Sequence, residues 1–457
     1  MNKSIVIIGG GAAGPKTAAK LRRLDSSLEI DLYTEEEIIS YSACGMPYFI
    51  GGMIDSSEKL IMRTAEQFGD QGINVHLKHK CTKIFSKGNK VRILDLDSNK
   101  TFTKNYDILV LATGARPYIP PMKNYKLKNI FTLRHISDAV QIKDIMHKSK
   151  TATIVGGGYI GIELLEAFVK NGLNVNVIDI NPYVMNVYDD DMAELIQKHI
   201  LEKDGDKVKI FNSQKVEQFI GDENGFVKKV LTSEQEEIDT DFVIICAGVI
   251  PNTELGDEIG LKKGIANSYW VNSHLQTSVP NIYAVGDCAQ KKHIVSNRYC
   301  WLPLGSTANK EGRCAALNIM GDNCNFDGVL GSSVSRYFGF TMAMTGVTER
   351  EARCDDVDVV SATVNKKDKA GYMPDAKNIT LKLIVSKNSR HIVGAQAIGC
   401  GEANSRIGIV SSAILDMVKV DDFVNLDIPY SPPYSTSIDP LLNVAQIVIK
   451  KLKDYYE

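Results

Sequence analysis

One short pattern occurs twice in this chain, and it restricts the fold more than any other feature. An apolar run at 4–8 breaks into Gly9-Gly10-Gly11-Ala12-Ala13-Gly14, and a second at 153–155 breaks into Gly156-Gly157-Gly158-Tyr159-Ile160-Gly161. After each comes an amphipathic stretch and then another apolar run, at 30–33 and 174–178. Strand, glycine turn, helix and parallel strand make a βαβ unit, and GxGxxG at the first turn is its dinucleotide-binding form. Gly9 and Gly156 allow the tight turn. Gly11 and Gly158 let backbone N–H groups reach a pyrophosphate, and Gly14 and Gly161 let helix and strand pack closely. The helix N-termini, with Ala13, Tyr159 and Ile160 in the same turns, add partial positive charge toward the phosphates.

The residue ending the second strand of each unit decides which ribose is read. In the second unit it is Asp179, whose carboxylate accepts from a 2′-OH and repels a 2′-phosphate. No Arg or Lys follows in Ile180-Asn181-Pro182-Tyr183, so NADH is expected over NADPH. In the first unit Thr34 holds the corresponding place and Glu35 follows it; Glu35 is the candidate ribose acid.

Further buried runs end in turns at Thr113-Gly114, at Ala247-Gly248 and at Gly286-Asp287. A carboxylate after a buried strand accepts from ribitol hydroxyls, which marks Gly286-Asp287 as the flavin side. From about 328 the texture changes to strands at 357–364, 379–385 and 392–398 and helical stretches at 402–418 and 438–452. That pattern is an α+β domain that binds no nucleotide.

At 457 residues the chain is too long for one core, so two or three domains are expected. The formal net charge of −2 and the lack of polybasic segments argue against nucleic acid and membrane surfaces. No run approaches the roughly 18 apolar residues that span a bilayer. The nine cysteines are scattered, odd in number and without a CxxC pair, which suits reduced thiols and a cytoplasmic location. No metal-ligand spacing is present.

Cys44 stands out among them. It lies in Ser40-Tyr41-Ser42-Ala43-Cys44-Gly45-Met46-Pro47-Tyr48, with no second cysteine at 45–50. A lone thiolate beside a flavin cannot close an internal disulfide; it cycles through a mixed disulfide, a persulfide or a sulfenic acid.

The order GGGAAG, Ala-Thr-Gly at 112–114, GGGYIG, Ala-Gly at 247–248 and AVGDCA at 284–289 resembles the pyridine nucleotide-disulfide oxidoreductase superfamily over nearly the whole chain. The resemblance implies an α/β fold with two Rossmann-like dinucleotide-binding domains, for FAD and NAD, plus a C-terminal α+β dimerisation domain. Its parts are 1–117 and 247–327 for FAD, 118–246 for NAD(P) and 328–457 for dimerisation. It implies bound FAD and NADH, a homodimer, and Tyr159 and Glu163 on the nicotinamide side of the flavin, opposite Cys44.

Ser40-x-x-x-Cys44 with Gly45 and Pro47 is similar to the single-cysteine branch, which holds coenzyme A disulfide reductases, persulfide and polysulfide reductases, NADH oxidases and NADH peroxidases. The oxidase and peroxidase members carry a histidine in the first glycine loop, where this chain has Ala12. No histidine follows His391, so the C-terminal base of dithiol reductases is missing too. Tyr372 and Tyr430 match two tyrosines that, in coenzyme A disulfide reductases, reach the cysteine from the other subunit; interface packing is the plainer alternative. Lys16, Arg22, Arg23 and Arg63 resemble the part of the family that meets the coenzyme A phosphates, against the alternative of solvated basic residues. Ser40 either bonds the Cys44 or substrate sulfur or caps the next helix.

The expected function is reduction of a small-molecule disulfide or persulfide, with coenzyme A among the candidate thiols. Cys44 is expected as a thiolate held by the flavin site and a helix N-terminus. An NADH oxidase working through a sulfenic acid, and a flavoprotein electron donor or redox sensor for a partner protein, are the alternatives.

Overall fold

The structure, a computed structural model, describes residues 3–456. The first βαβ unit sits in a five-stranded parallel sheet ordered Ile282–Ala284, Ile108–Leu111, Ser4–Ile8, Glu29–Tyr33, Asn74–His76. The second sits in another, ordered Val208–Phe211, Asn174–Ile178, Thr151–Val155, Phe242–Ile245, Ile130–Phe131. Ile5, Val6 and Ile7 are wholly buried, as the run of apolar residues requires of a parallel sheet covered on both faces. Strand Ile282–Ala284 comes after the second sheet in the chain but returns to the first. That return brings Gly286-Asp287 beside the first glycine loop.

Both glycine corners are built alike. Gly9 has φ +120° and a Cβ there would lie 2.0 Å from the Ala112 carbonyl oxygen; Gly156 has φ +106° and 2.5 Å to that of Cys246. A Cβ on Gly14 or on Gly161 would lie 2.1 Å from the carbonyl oxygen of the loop's own first glycine. Each helix therefore presses on its strand as only glycine permits.

The third large sheet is antiparallel, ordered Ser333–Tyr337, Phe340–Gly346, Ile392–Gly399, Asn378–Ser386, Val359–Lys367. Helices Asn404–Leu415 and Pro440–Tyr456 pack on it. The sequence pattern does not reveal its first two strands. The edge strand, Ser-Val-Ser-Arg-Tyr, is too polar to stand out, and the hairpin turn has Phe338 at φ +44° before Gly339. The helix expected over 402–418 stops at Leu415, because the chain turns through Met417 at φ +50°.

This third sheet is tied to the second. Lys382, 4% exposed, places Nζ 2.7 Å from Asp191, 3.2 Å from Asp189 and 3.2 Å from Glu349. The Asp189 carboxylate also accepts from Gln396 Nε2 at 2.7 Å and from the Glu349 and Arg350 backbone N–H groups. Among the described residues, no helix is long and apolar enough to cross a membrane.

Candidate active site

A cavity of ≈ 2490 Å³ is lined by both glycine loops, by Gly286-Asp287 and by Cys44. Pockets for one small ligand run about 300–1,000 Å³, so this one has room for two extended nucleotides. Its walls suit them. A Cβ on Gly11 or Gly158 would find nothing within 4 Å, so backbone N–H groups there face open space. The helices Ala13–Leu24 and Tyr159–Lys170 both start without a side-chain cap, which leaves their first N–H groups for a ligand.

Gly286-Asp287 is held rigidly from behind. The Gly286 N–H donates to Glu311 Oε2 at 2.6 Å, and Lys291 Nζ donates to the Gly286 and Ala289 carbonyls at 2.9 and 3.0 Å. Lys291 and Glu311 are fully buried and lie 3.3 Å apart. Trp301 Nε1 donates to the Asp287 carbonyl at 2.7 Å. The Asp287 carboxylate is left on the cavity, 3.5 Å from an Arg134 nitrogen.

Cys44 lies in a short turn, Ala43–Gly45, ahead of helix Met46–Ile50. Ser40 pins this segment to the first glycine loop: its N–H donates to the Gly10 carbonyl and its own carbonyl accepts from Met62 N–H, both at 2.8 Å. Ser40 adopts φ +54° to do so. Cys44 is the exposed one of three cysteines bordering the cavity, with Cys81 and Cys246. Burial pushes those two thiols up to about 12.

The expected support of a Cys44 thiolate by a helix N-terminus is corrected here. The helix has five residues, and desolvation by the cavity walls, then the charges of Glu163 and Asp287, push the thiol above its usual value. Arg134 is the side chain whose charge pulls it down.

Across the cavity Tyr159 places its hydroxyl 2.5 Å from Ser333 Oγ. Glu163 accepts from the Tyr48 and Ser335 hydroxyls, both at 3.3 Å, and burial pushes its carboxyl up to about 7. Asp179, 7% exposed, accepts from the Gly157 N–H at 2.6 Å and from Asn181.

Other expected site residues divide. Lys16, Arg23, Arg63, Glu35, Ile160, Gly114 and Gly248 line the cavity. Glu35 pairs with Lys80 at 2.8 Å, and Arg63 lies over the Phe68 ring. Arg22 does not reach the cavity: its guanidinium donates to the Ser26, Leu28 and Gly72 carbonyls at 2.5, 2.7 and 2.6 Å, so it braces a loop. Thr113 lines the cavity, but its hydroxyl donates to the Asn252 carbonyl at 2.6 Å. Gly14 and Gly161 serve packing, out of the lining. Tyr372 and Tyr430, 75% and 50% exposed, stand outside the cavity that holds the same chain's Cys44. Sequence reasoning missed Arg134, Tyr48, Ser333 and Ser335. Each lies far along the chain from what it touches, and no motif marks any of them.

The comparisons agree with this geometry. The family model for pyridine nucleotide-disulphide oxidoreductases matches residues 3–312, and the one for the dimerisation domain of those enzymes matches 333–441. The chain is similar to an NADH oxidase of Methanocaldococcus jannaschii, 36% identical over 453 residues, covering 98% of this chain and 99% of that one. It is similar to an NAD(P)H sulfur oxidoreductase (CoA-dependent) of Pyrococcus abyssi, 34% identical over 452 residues and 98% of both. A solved NAD-dependent persulfide reductase from A. fulgidus superposes with a TM-score of 0.95 at 33% identity, over 99% of this chain and 84% of that one. On sequence, fold and the paired glycine loops together, the chain belongs to the pyridine nucleotide-disulphide oxidoreductase family.

Proposed function

We propose that the chain is an FAD-dependent NADH oxidoreductase that reduces a small-molecule disulfide or persulfide through Cys44, working as a homodimer, with coenzyme A as the thiol component. The observation that carries this reading is one exposed cysteine, pinned by Ser40 to the first glycine loop, with Glu163 of the second unit near enough to act on its charge. The sulfur-acting relatives support it.

The first unit takes FAD, with Gly11 and the helix N-terminus on its pyrophosphate and Asp287 on ribitol hydroxyls. The second takes NADH, with Gly158 on the pyrophosphate and Asp179 on the ribose. Cys44 Sγ attacks one sulfur of the substrate; the Cys44–sulfur bond forms, the substrate S–S bond breaks, and the first thiolate departs. Tyr430 and Tyr372 of the second copy donate hydrogen bonds to that departing thiolate. Bound FAD and NADH supply the two electrons that return Cys44 to a thiolate and free the second thiol. Lys16, Arg23 and Arg63 rim the cavity as cations for substrate phosphates.

The M. jannaschii relative favours a second reading, in which oxygen is reduced through a Cys44 sulfenic acid. Intact-mass measurement without reductant, after exposure to coenzyme A disulfide, separates the two. The first reading gives a coenzyme A adduct on Cys44 and anaerobic NADH turnover that Cys44→Ser removes. No adduct, with NADH consumption tied to oxygen, overturns it in favour of the oxidase.

A further inference from the structure

The strand Ser333–Tyr337 belongs to the third sheet, yet four of its side chains reach across to the unit that carries the second glycine loop. Successive outward positions on a strand are two residues apart, and Ser333, Ser335 and Tyr337 share one face. Ser333 Oγ meets the Tyr159 hydroxyl at 2.5 Å, the Ser335 hydroxyl donates to Glu163 at 3.3 Å, and the Tyr337 hydroxyl donates to Asp204 at 2.8 Å. Tyr159 and Glu163 are one turn apart on helix Tyr159–Lys170, so a single helix face meets a single strand face. The strand itself is locked in place. Arg336 donates to Glu166 Oε1 at 2.9 Å, and the Phe338 N–H donates to Glu166 Oε2 at 3.0 Å.

Tyr159 and Ser333 both line the cavity. With Arg336 and the Phe338 N–H held by Glu166, this contact opens by rotation of the Tyr159 or the Ser333 side chain. We propose that Ser333 is a positioning residue that latches Tyr159 in its closed place, so that the nicotinamide enters only when the Tyr159–Ser333 hydrogen bond breaks. This rests on the reading that places Tyr159 in front of the nicotinamide subsite. The latch lies in the domain that also carries Tyr372 and Tyr430.

The test uses FAD-loaded dimer and equilibrium binding of NAD⁺ by calorimetry, a readout separate from turnover. One hydrogen bond contributes about a fivefold change in an equilibrium. Ser333→Ala is expected to tighten NAD⁺ binding about fivefold and to lower the NADH KM more than it alters kcat, with Ser333→Thr restoring the parent values. Tyr159→Phe removes the same bond from the other side, so adding it to Ser333→Ala gives no further gain. The latch is overturned if Ser333→Ala leaves NAD⁺ affinity unchanged while Tyr159→Ala shifts it. If Tyr159→Ala also leaves NAD⁺ affinity unchanged, the placement of Tyr159 at the nicotinamide subsite fails, and the latch fails with it. A thermal melt of each variant identifies loss of fold, and affinities are compared among variants that melt with the parent.

Discussion

The two βαβ units share a corner and differ at the strand end. In both, the first glycine turns with positive φ against a carbonyl, and a Cβ on the third would lie the same 2.1 Å from the carbonyl oxygen of the first. In the second unit Asp179 closes the loop on itself by accepting from Gly157 N–H at 2.6 Å. In the first unit Thr34 sits there, packed so that a Cβ on Gly10 would lie 3.0 Å from it, and its hydroxyl accepts from Glu36 N–H at 3.3 Å. The backbone holds both loops alike: Gly9 N–H donates to the Tyr33 carbonyl at 2.8 Å and Gly156 N–H to that of Ile178 at 2.9 Å, while Ser40 N–H reaches the Gly10 carbonyl and Met185 N–H the Gly157 carbonyl, both at 2.8 Å. The first unit's carboxylate arrives from elsewhere, as Asp287. Glycine geometry is common to both units, whereas the carboxylate differs: Asp179 stands at the strand end of the second, and Asp287 reaches the first from a later strand. The segment 40–48, which holds the first loop, also carries Cys44.

The sharpest contrast comes from Cys44→Ser, which acts on the first unit alone. Disulfide turnover should fall by about 10³-fold or more, while NADH still reduces an artificial electron-accepting dye through the flavin. Equal loss of both activities would erase the distinction between the units. Next come the matched substitutions Gly9→Ala and Gly156→Ala. Each puts a methyl into a carbonyl, with a cost of about 2–4 kcal/mol at positive φ. The first should lose flavin on gel filtration, and the second should keep flavin but lose NADH binding. Asp179→Ala should raise the NADH KM about 10- to 100-fold and narrow the preference over NADPH, whereas Thr34→Ala should move neither by more than about twofold.

A smaller effect tests the contact between the units. The Glu163 carboxyl, ordinarily near 4.5, is raised to about 7 in the fold, so its charged form is disfavoured there. The cost to stability is absent below 4.5, grows as pH rises from 4.5 toward 7 and is complete above it. Glu163→Gln should therefore stabilise the fold above pH 7 and not at pH 4.5. It should also lower the pH midpoint of Cys44 alkylation, since a negative neighbour is removed. The smallest effect is on the substrate. Arg22→Ala should leave the disulfide KM within about twofold and lower stability by about 1–2 kcal/mol, because its three carbonyl partners lose a donor.

Much of this was legible from residues alone because the information is local. A glycine turn after an apolar run, an acid at the next strand end, and a cysteine without a partner within six residues are all read within one stretch of chain. What escaped involves residues more than a hundred positions apart, as with Tyr159 and Ser333, Glu166 and Arg336, or Tyr48 and Glu163. Arg22 and Arg23 show the limit well. They are adjacent, equally basic, and on one helix, yet the one-residue step of about 100° sends the first to a loop and the second to the cavity. The surface strand Ser333–Tyr337 has no apolar alternation to announce it, since its inward-facing partners are hydroxyls and carboxylates.

Lys382 has a consequence for anyone who would graft this nicotinamide-binding half onto another scaffold. Its ammonium is shared between Asp189 and Asp191 on one side of the seam and Glu349 on the other. Excising residues 118–246 would open this seam to water, parting Asp189 from Lys382, the Gln396 amide and the Glu349 and Arg350 N–H groups, and parting Lys382 from two of its three carboxylates. Chimeras cut at this seam need both sides transplanted together, or Asp189 and Lys382 neutralised as a pair.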